Sequence, residues 1–217
     1  MQYVIHTTNK RLWYVRGYLI PSMTAQGIQR QKIKVFNDNR GIGNLKALMT
    51  SYAIYGYHDT CHMNDDVLIS SDFAEKTQQY YEEEVVCGFA AKCCQNSKGT
   101  LVHPIDMWYS FPCILISERL NREFHEWLKN EAPTIVPDCF WIRDGKGDDA
   151  LFKSFLTYKY PTMDIRQLKP NIVNHIDYLL GGSIISPQRT KDATSAFWNE
   201  PKLVKDLEKK LKEDGNL

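Results

Sequence analysis

The stretch CHMNDDVLIS, residues 61–70, decides how this chain is read. A run that reads as a buried strand stops at Asn64, Asp65 and Asp66, and a second apolar run follows at once. Adjacent carboxylates repel, and each disfavours ionisation of the other unless a cation is near. A hard divalent metal resolves the conflict, because it takes oxygen ligands and bridges them to phosphate. A solvated turn, with Asp72 capping the next helix, is the plainer alternative for a bare Asp-Asp pair.

Working outward, residues 3–8, YVIHTT, form a β-branched and aromatic run. Leu12, Val15 and Leu19 then recur at helical spacing, and Pro21 and Gly27 are expected to end that helix. KIKVFNDN, 32–39, alternates apolar and polar residues and stops at a turn-forming cluster; GNLKALMTSYAIYG, 43–56, carries the helical stripe Leu45, Leu48, Met49, Tyr52. Strand, helix, strand, helix, strand argues for an α/β fold with a mostly parallel central sheet and crossover helices. In such sheets ligands bind outside the carboxyl ends of the strands. Three of those ends are polar here: HTTNKR at 6–11, NDNRGIGN at 37–44 and NDD at 64–66.

Downstream, Asp72 is placed to cap a helix carrying Phe73, Thr77, Tyr80 and Tyr81, and VVCGFAAKC, 85–93, reads as a strand. WYSFPCILIS, 108–117, reads as a loop and then a buried strand. SERLNREFHEWLKN, 117–130, is a capped amphipathic helix with Leu120, Phe124, Trp127 and Leu128 inward. DDALFKSFLTYKY, 148–160, is a helix opened by its own carboxylates. In the tail, Leu203, Leu207 and Leu211 at i, i+4, i+8 predict a helix laid on the body of the fold.

The bulk numbers narrow the class. With 217 residues, 43% hydrophobic and 24% charged, the chain suits one globular domain with a small appendage. Its 27 basic and 26 acidic residues leave a net charge of +1, so no global field draws it to nucleic acid or membrane. The N-terminal residues do not read as a secretory signal, and no apolar run reaches the ~18 residues of a membrane span. The six cysteines, several inside strand-like runs, read as free, buried thiols in a reducing cytoplasm. Cys93, Cys94 and His103 lie close together but lack the paired spacing of a structural zinc site.

The order of elements, with NDDVLISSDF ending the third strand, resembles the GT-A class of nucleotide-sugar glycosyltransferases. PCILISERLNREFHEWL is similar to the acceptor-side strand and helix of that class, and GKGDDALFKSFL to its second acidic motif. KPNIVNHIDYLLGGS resembles the late segment with a histidine followed by small residues, and RTKDATSAF the tail beyond it. The resemblance runs to about Phe197. It implies a single Rossmann-like GT-A domain over 1–197 with a helical tail over 198–217. It also implies transfer of a sugar from a nucleotide-sugar, UDP-linked by first expectation, with Mn2+ or Mg2+ as cofactor. Asn64-Asp65-Asp66 is not a strict D-x-D, so which carboxylate meets the metal stays open.

Carried over by position, Asp66 and His175 would be metal ligands, and Asp65 would hold the metal or the donor ribose. Thr7, Thr8 and Arg11 would meet the donor base and phosphate, with helix capping by Thr8 and Asn9 as the alternative. Asp38 would bond the uracil or ribose. Asn44 and Lys46, near a helix N-terminus, would favour phosphate, as Arg189 and Lys191 would from the tail. Asp148 and Asp149 are the candidate catalytic residues, since inverting transfer needs a base at the acceptor hydroxyl; complementing the helix dipole is their alternative role. Trp108 and Tyr109 would stack on the acceptor, or pack in the core. Among acceptors, small bacteriophage enzymes of the class suggest hydroxymethylated pyrimidines in DNA, and surface polysaccharide is the rival. A nucleotidyltransferase or a non-catalytic nucleotide-sugar-binding module completes the alternatives. The oligomeric state stays open.

Overall fold

The computed structural model describes residues 1–89, 101–106, 112–135, 147–182 and 197–217. Nine strands are present among them: β1 Gln2–Thr7, β2 Ile33–Asn37, β3 Thr60–Asn64, β4 Val67–Ile69, β5 Val85–Cys87, β6 Leu101–Val102, β7 Cys113–Ile116, β8 Ile165–Gln167 and β9 Val173–His175. Seven form one sheet in the order β2-β1-β3-β7-β5-β8-β6, and β4 pairs with β9 in a second, two-stranded sheet. β2 and β3 run parallel to β1 on either side of it. β7 is antiparallel to both β3 and β5, while β8 is parallel to β5 and β6 antiparallel to β8. The central sheet is therefore mostly parallel, with β7 and β6 reversed, and helices cover both faces.

Strand alternation sorts the side chains onto two cores. Tyr3 and Ile5 of β1 and Cys61 and Met63 of β3 face the first core. There they meet Tyr14, Leu19 and Met23 of the first helical run and Leu207 and Leu211 of the tail helix, Pro201–Glu213. On the opposite face, helices Asn44–Tyr55, Glu118–Asn130 and Asp148–Lys159 bring Leu48, Phe124, Trp127, Phe152 and Phe155 against Ile114 and Ile116 of β7. Ser117 caps its helix as expected, accepting a hydrogen bond from Leu120 N at 3.2 Å. The tail helix buries Val204, Leu207 and Leu211, and Leu203 is only half-buried, so the inward stripe starts one residue later than the leucine spacing suggests.

Pro21 does not end the first helix. Helical geometry runs from Leu12–Tyr14 through a π-helical turn, Val15–Leu19, into Ile20–Ala25. A proline inside an α-helix lacks an N–H and presses its ring on the carbonyl four residues back, here that of Gly17. The wider π turn just before Pro21 relieves that crowding. The run ends at Gly27, φ 87°. Gly27 N donates to Thr24 O at 2.9 Å and Ile28 N to Met23 O at 3.2 Å, the paired bonds of a Schellman stop.

Gly88 follows β5 at a crowded crossing. Its N–H donates to Cys113 O and its carbonyl accepts from Ile172 N, both at 3.0 Å. A Cβ there would lie 2.8 Å from Cys113 Sγ and 2.9 Å from Ile172 Cγ1. Cys61, Cys87 and Cys113 are buried, as expected, and Cys93, Cys94 and Cys139 lie outside the described residues. No helix among the described residues is long and apolar enough to cross a membrane.

Candidate functional site

The carboxyl ends of β1 and β3 meet at Asp65 and Asp66, both more than nine-tenths buried. β1 and β3 are hydrogen-bonded neighbours, His6 lying opposite Asn64. Thr7 Oγ1 therefore donates to Asp65 Oδ2 at 2.9 Å, and Thr8 N to the same oxygen at 3.3 Å. The chain then turns tightly, Arg11 N and Leu12 N both donating to Thr8 O at 3.1 Å. That turn delivers the Arg11 guanidinium back onto the acidic pair. Arg11 Nη1 donates to Asp65 Oδ1 at 3.1 Å and to Asp66 Oδ2, while Nη2 donates to Gly182 O at 2.7 Å. Thr8 does not cap the helix with its side chain; its Oγ1 is buried without a hydrogen-bond partner among the described residues.

His175 arrives by the small second sheet, in which Val67 of β4 lies opposite His175 of β9. Ile176 N donates to Asp66 O at 2.8 Å and closes the crossing. His175 Nε2 lies 2.9 Å from Asp66 Oδ1, and Nδ1 lies 3.8 Å from Asp177 Oδ1. The imidazole thus sits between two buried carboxylates. Asp177 also organises the following turn: its side chain accepts from Tyr178 N at 2.9 Å and its carbonyl from Gly182 N at 2.8 Å.

The charges are unequal in their effects. Burial pushes the Asp66 carboxyl up, but His175 and then Arg11 override it and hold the pKa at about 2. Asp65 goes the other way, raised by burial and by Asp66 against the pull of Arg11. Burial works against the Arg11 charge, yet Asp66 and Asp65 raise its pKa overall. Removing one partner from such a buried group leaves the others uncompensated, at a cost of about 3–5 kcal/mol.

The donor atoms to weigh for a divalent metal are Asp66 Oδ1 and His175 Nε2. Asp66 Oδ1 is buried and accepts no well-directed hydrogen bond, although His175 Nε2 is 2.9 Å away. A carboxylate oxygen suits manganese or magnesium, and an imidazole nitrogen is acceptable to manganese. Among the described residues no group of three or more His, Cys, Asp or Glu side chains is placed to hold an ion.

The remaining sequence candidates fall elsewhere. Asp38 N donates to Thr7 O at 2.7 Å, so Asp38 lies beside the end of β1, but its carboxylate is turned to its own loop. It accepts from Ile42 N at 3.0 Å and Gly43 N at 3.2 Å. Asn44 is the first residue of its helix, and Lys46 is exposed one turn in. Asp148 is buried at the start of helix Asp148–Lys159, and Asp149 Oδ1 accepts from Ala150 N at 2.7 Å. Asp148 lies close enough to Tyr52 to help raise that hydroxyl, behind burial and Tyr57. Trp108, Tyr109, Arg189 and Lys191 lie outside the described residues.

Sequence reasoning missed Asp177 and Gly182, although both lie in the quoted segment around His175. It also missed a polar seam behind β3. Tyr52 donates to Asn121 Oδ1 at 2.6 Å, and His62 Nε2 lies 3.3 Å from the same oxygen. The His62 and His6 rings are 5.9 Å apart. Burial lowers the His6 pKa to about 3 and that of His62 to about 4, so both are neutral at physiological pH. A histidine inside each of two buried strands was the available signal.

No family model matches the sequence, and no curated protein matches it. Among solved structures, a chain assigned as a glucose-1-phosphate thymidylyltransferase from Bacillus anthracis, crystallised with a sucrose, aligns at 10% identity over 88% of this chain and 94% of its own, with a TM-score of 0.45.

Proposed function

We propose that this chain is a metal-dependent transferase that takes a nucleotide-sugar as donor and moves its sugar to an acceptor hydroxyl. The observation that carries the proposal is the constellation at the carboxyl ends of β1 and β3. There a buried carboxylate lies 2.9 Å from an imidazole, beside a second carboxylate and an arginine. A strand-end acidic group of this kind is where a mostly parallel sheet receives a phosphate-bearing ligand.

In this reading Asp66 and His175 hold the metal, which when bound neutralises charge on the leaving diphosphate. Asp65, kept in place by Thr7 and the Thr8 N–H, orients the ribose or the metal's outer ligands. The loop after β2, braced by Asp38, lies beside the same edge and would border the nucleoside. Asn44 and Lys46 would meet the donor from the neighbouring helix start, and Arg189 and Lys191 from the tail. Asp148 or Asp149 accepts the proton of the acceptor hydroxyl as its oxygen attacks the sugar and the diphosphate leaves. The proposed acceptor is a hydroxymethylated pyrimidine in DNA, presented flipped out or single-stranded, with Trp108 or Tyr109 stacked on it.

The test is a panel of nucleotide-sugars incubated with and without manganese. Expected is metal-dependent release of UDP from one donor, abolished by Asp66→Ala. Labelled sugar should then pass to hydroxymethylated but not unmodified oligonucleotides. Transfer only to a lipid-linked or free saccharide would replace the DNA acceptor. Pyrophosphate formed from a nucleoside triphosphate and a sugar phosphate, with no sugar transfer, would make the chain a nucleotidyltransferase. Binding of a nucleotide-sugar with no turnover of any substrate would leave a binding module.

A further inference from the structure

The Arg11 guanidinium has no water-facing role. Its side chain is 8% exposed, Nη1 touches both Asp65 and Asp66, and Nη2 holds the Gly182 carbonyl at 2.7 Å. It thus ties the start of the first helix to the acidic pair and to a turn 171 residues later. Among the described residues the cluster remains short of positive charge. Asp65, Asp66 and Asp177 bring three formal negative charges, and Arg11 and His175 can return at most two. On the side of Asp66 away from Arg11, Oδ1 is the oxygen with no directed hydrogen bond. Arg11 and an ion on Asp66 would share one carboxylate, with like charges close together in a buried setting.

We infer that Arg11 is a built-in counter-ion that competes with the divalent cation for the acidic pair, so that cation binding releases both the guanidinium and the Gly182 carbonyl. This rests on the metal reading of Asp66 and His175 proposed above. Without the cation, Arg11 neutralises the two carboxylates and pins the Gly181–Gly182 turn to the end of β3. With it, the guanidinium is displaced toward the face where a diphosphate would sit, and the turn loses its anchor. Arg11 is then a positioning residue with two partners in succession, a carboxylate pair and a phosphate. Gly181 and Gly182, φ 89° and 86°, give that turn a backbone that a side chain would restrict.

The experiment titrates manganese into the full-length protein without nucleotide, reading free Mn2+ by electron paramagnetic resonance. Wild type, Arg11→Met and Arg11→Lys are compared. Arg11→Met should bind Mn2+ at least tenfold more tightly than wild type. Arg11→Lys should fall between them, because an ammonium cannot fork across both carboxylates and the Gly182 carbonyl. Melting temperatures guard against a misfolded variant: Arg11→Met should melt lower than wild type without metal and recover on adding manganese. Amide hydrogen exchange over residues 177–182 should speed up in wild type on adding manganese and be fast in Arg11→Met from the start. Equal Mn2+ affinity in all three proteins, a melting loss that manganese does not recover, or unchanged exchange in the turn would each overturn the inference. Wild-type binding of Mn2+ with UDP, measured alongside, separates the failures. If it is intact, the counter-ion role alone falls; if no protein binds either ligand, the metal reading falls with it.

Discussion

The dipeptide Asp-Asp occurs at 65–66 and again at 148–149, and the fold treats the two differently. The first pair sits where a buried strand ends, and its side-chain partners come from residues 7, 8, 11 and 175, with Arg11 in turn held by the Gly182 carbonyl. The second opens a helix, where Asp149 accepts from the N–H of Ala150 in the first turn and Asp148 is buried near Tyr52. A carboxylate at a helix start complements the helix dipole. A carboxylate pair at a strand end has no such local solution, so its stability depends on segments brought in from across the chain. The difference teaches where to look for chemistry: a charge that the fold must assemble partners for has been placed at a cost that a cap does not carry.

The sharpest way to break this comparison is Asp66→Ala. It should strip Arg11 and His175 of a buried partner and destabilise the protein by about 3–5 kcal/mol. For a chain of this size that is a drop in melting temperature of roughly 6–20 °C, read by calorimetry. The same variant should lose manganese-dependent UDP binding. A melting temperature within about 2 °C of wild type would reduce the first pair to the status of the second.

Next in size is the second pair, proposed above to supply the base. Asp148→Asn or Asp149→Asn should keep donor affinity and lower turnover by roughly a hundredfold or more, because asparagine keeps the shape and removes the base. If both variants transfer sugar at the wild-type rate, the second pair is a helix start and nothing more.

Acid should sharpen the contrast. β1 and β3, which lead to the first pair, carry His6 and His62, whereas helix Asp148–Lys159 contains no histidine. Both histidines are held below their ordinary value of 6.5, to about 3 and about 4, by burial. The unfolded chain therefore takes up protons first. Their stabilising contribution is whole above pH 6.5 and is lost as pH falls from there toward 4, by about 1.4 kcal/mol per histidine per pH unit. Denaturant unfolding at pH 7, 5.5 and 4.5 measures that slope, and His62→Gln should reduce it by about half. A flat profile would show that the seam behind β3 is not held neutral.

The smallest effect is a yardstick. Ser117→Ala removes a helix cap and should cost about 1 kcal/mol. Asp149→Ala should match it if Asp149 serves its helix alone, and equilibrium unfolding of the two variants side by side makes the comparison.

Much of the first half of the fold was legible, for definite reasons. The alternation in 32–39 and the stripe Leu45, Leu48, Tyr52 each span a whole element, and the polar ends after β1, β2 and β3 sit where such strands stop. The segments around His175 were named by likeness, but three-residue strands such as β4 and β9 are too short to show a period. Their pairing, which puts His175 on Asp66, came only with the structure. CILI in β7 is apolar on both faces and so carries no direction; its reversed placement between β3 and β5 had no signature. Arg11 was expected at a phosphate. Its grip on both carboxylates depends on the tight turn at Thr8, which backbone hydrogen bonds make and side-chain identities do not announce. Pro21 misled for the opposite reason, since a π turn at Gly17 absorbs what would ordinarily stop a helix.

Gly88 turns this architecture into a statement about which variants of the chain can exist. Its missing Cβ leaves the space in which Cys113 and Ile172 close on it, and Ile172 leads directly into β9. A side chain at 88 would push that segment outward and lever His175 off Asp66, although the two positions are 87 residues apart in sequence. In a library of all single substitutions selected for activity, position 88 should come back as glycine alone. Neighbouring Phe89 should tolerate other large apolar residues, so the boundary between a forbidden and a permissive site would fall between two consecutive codons.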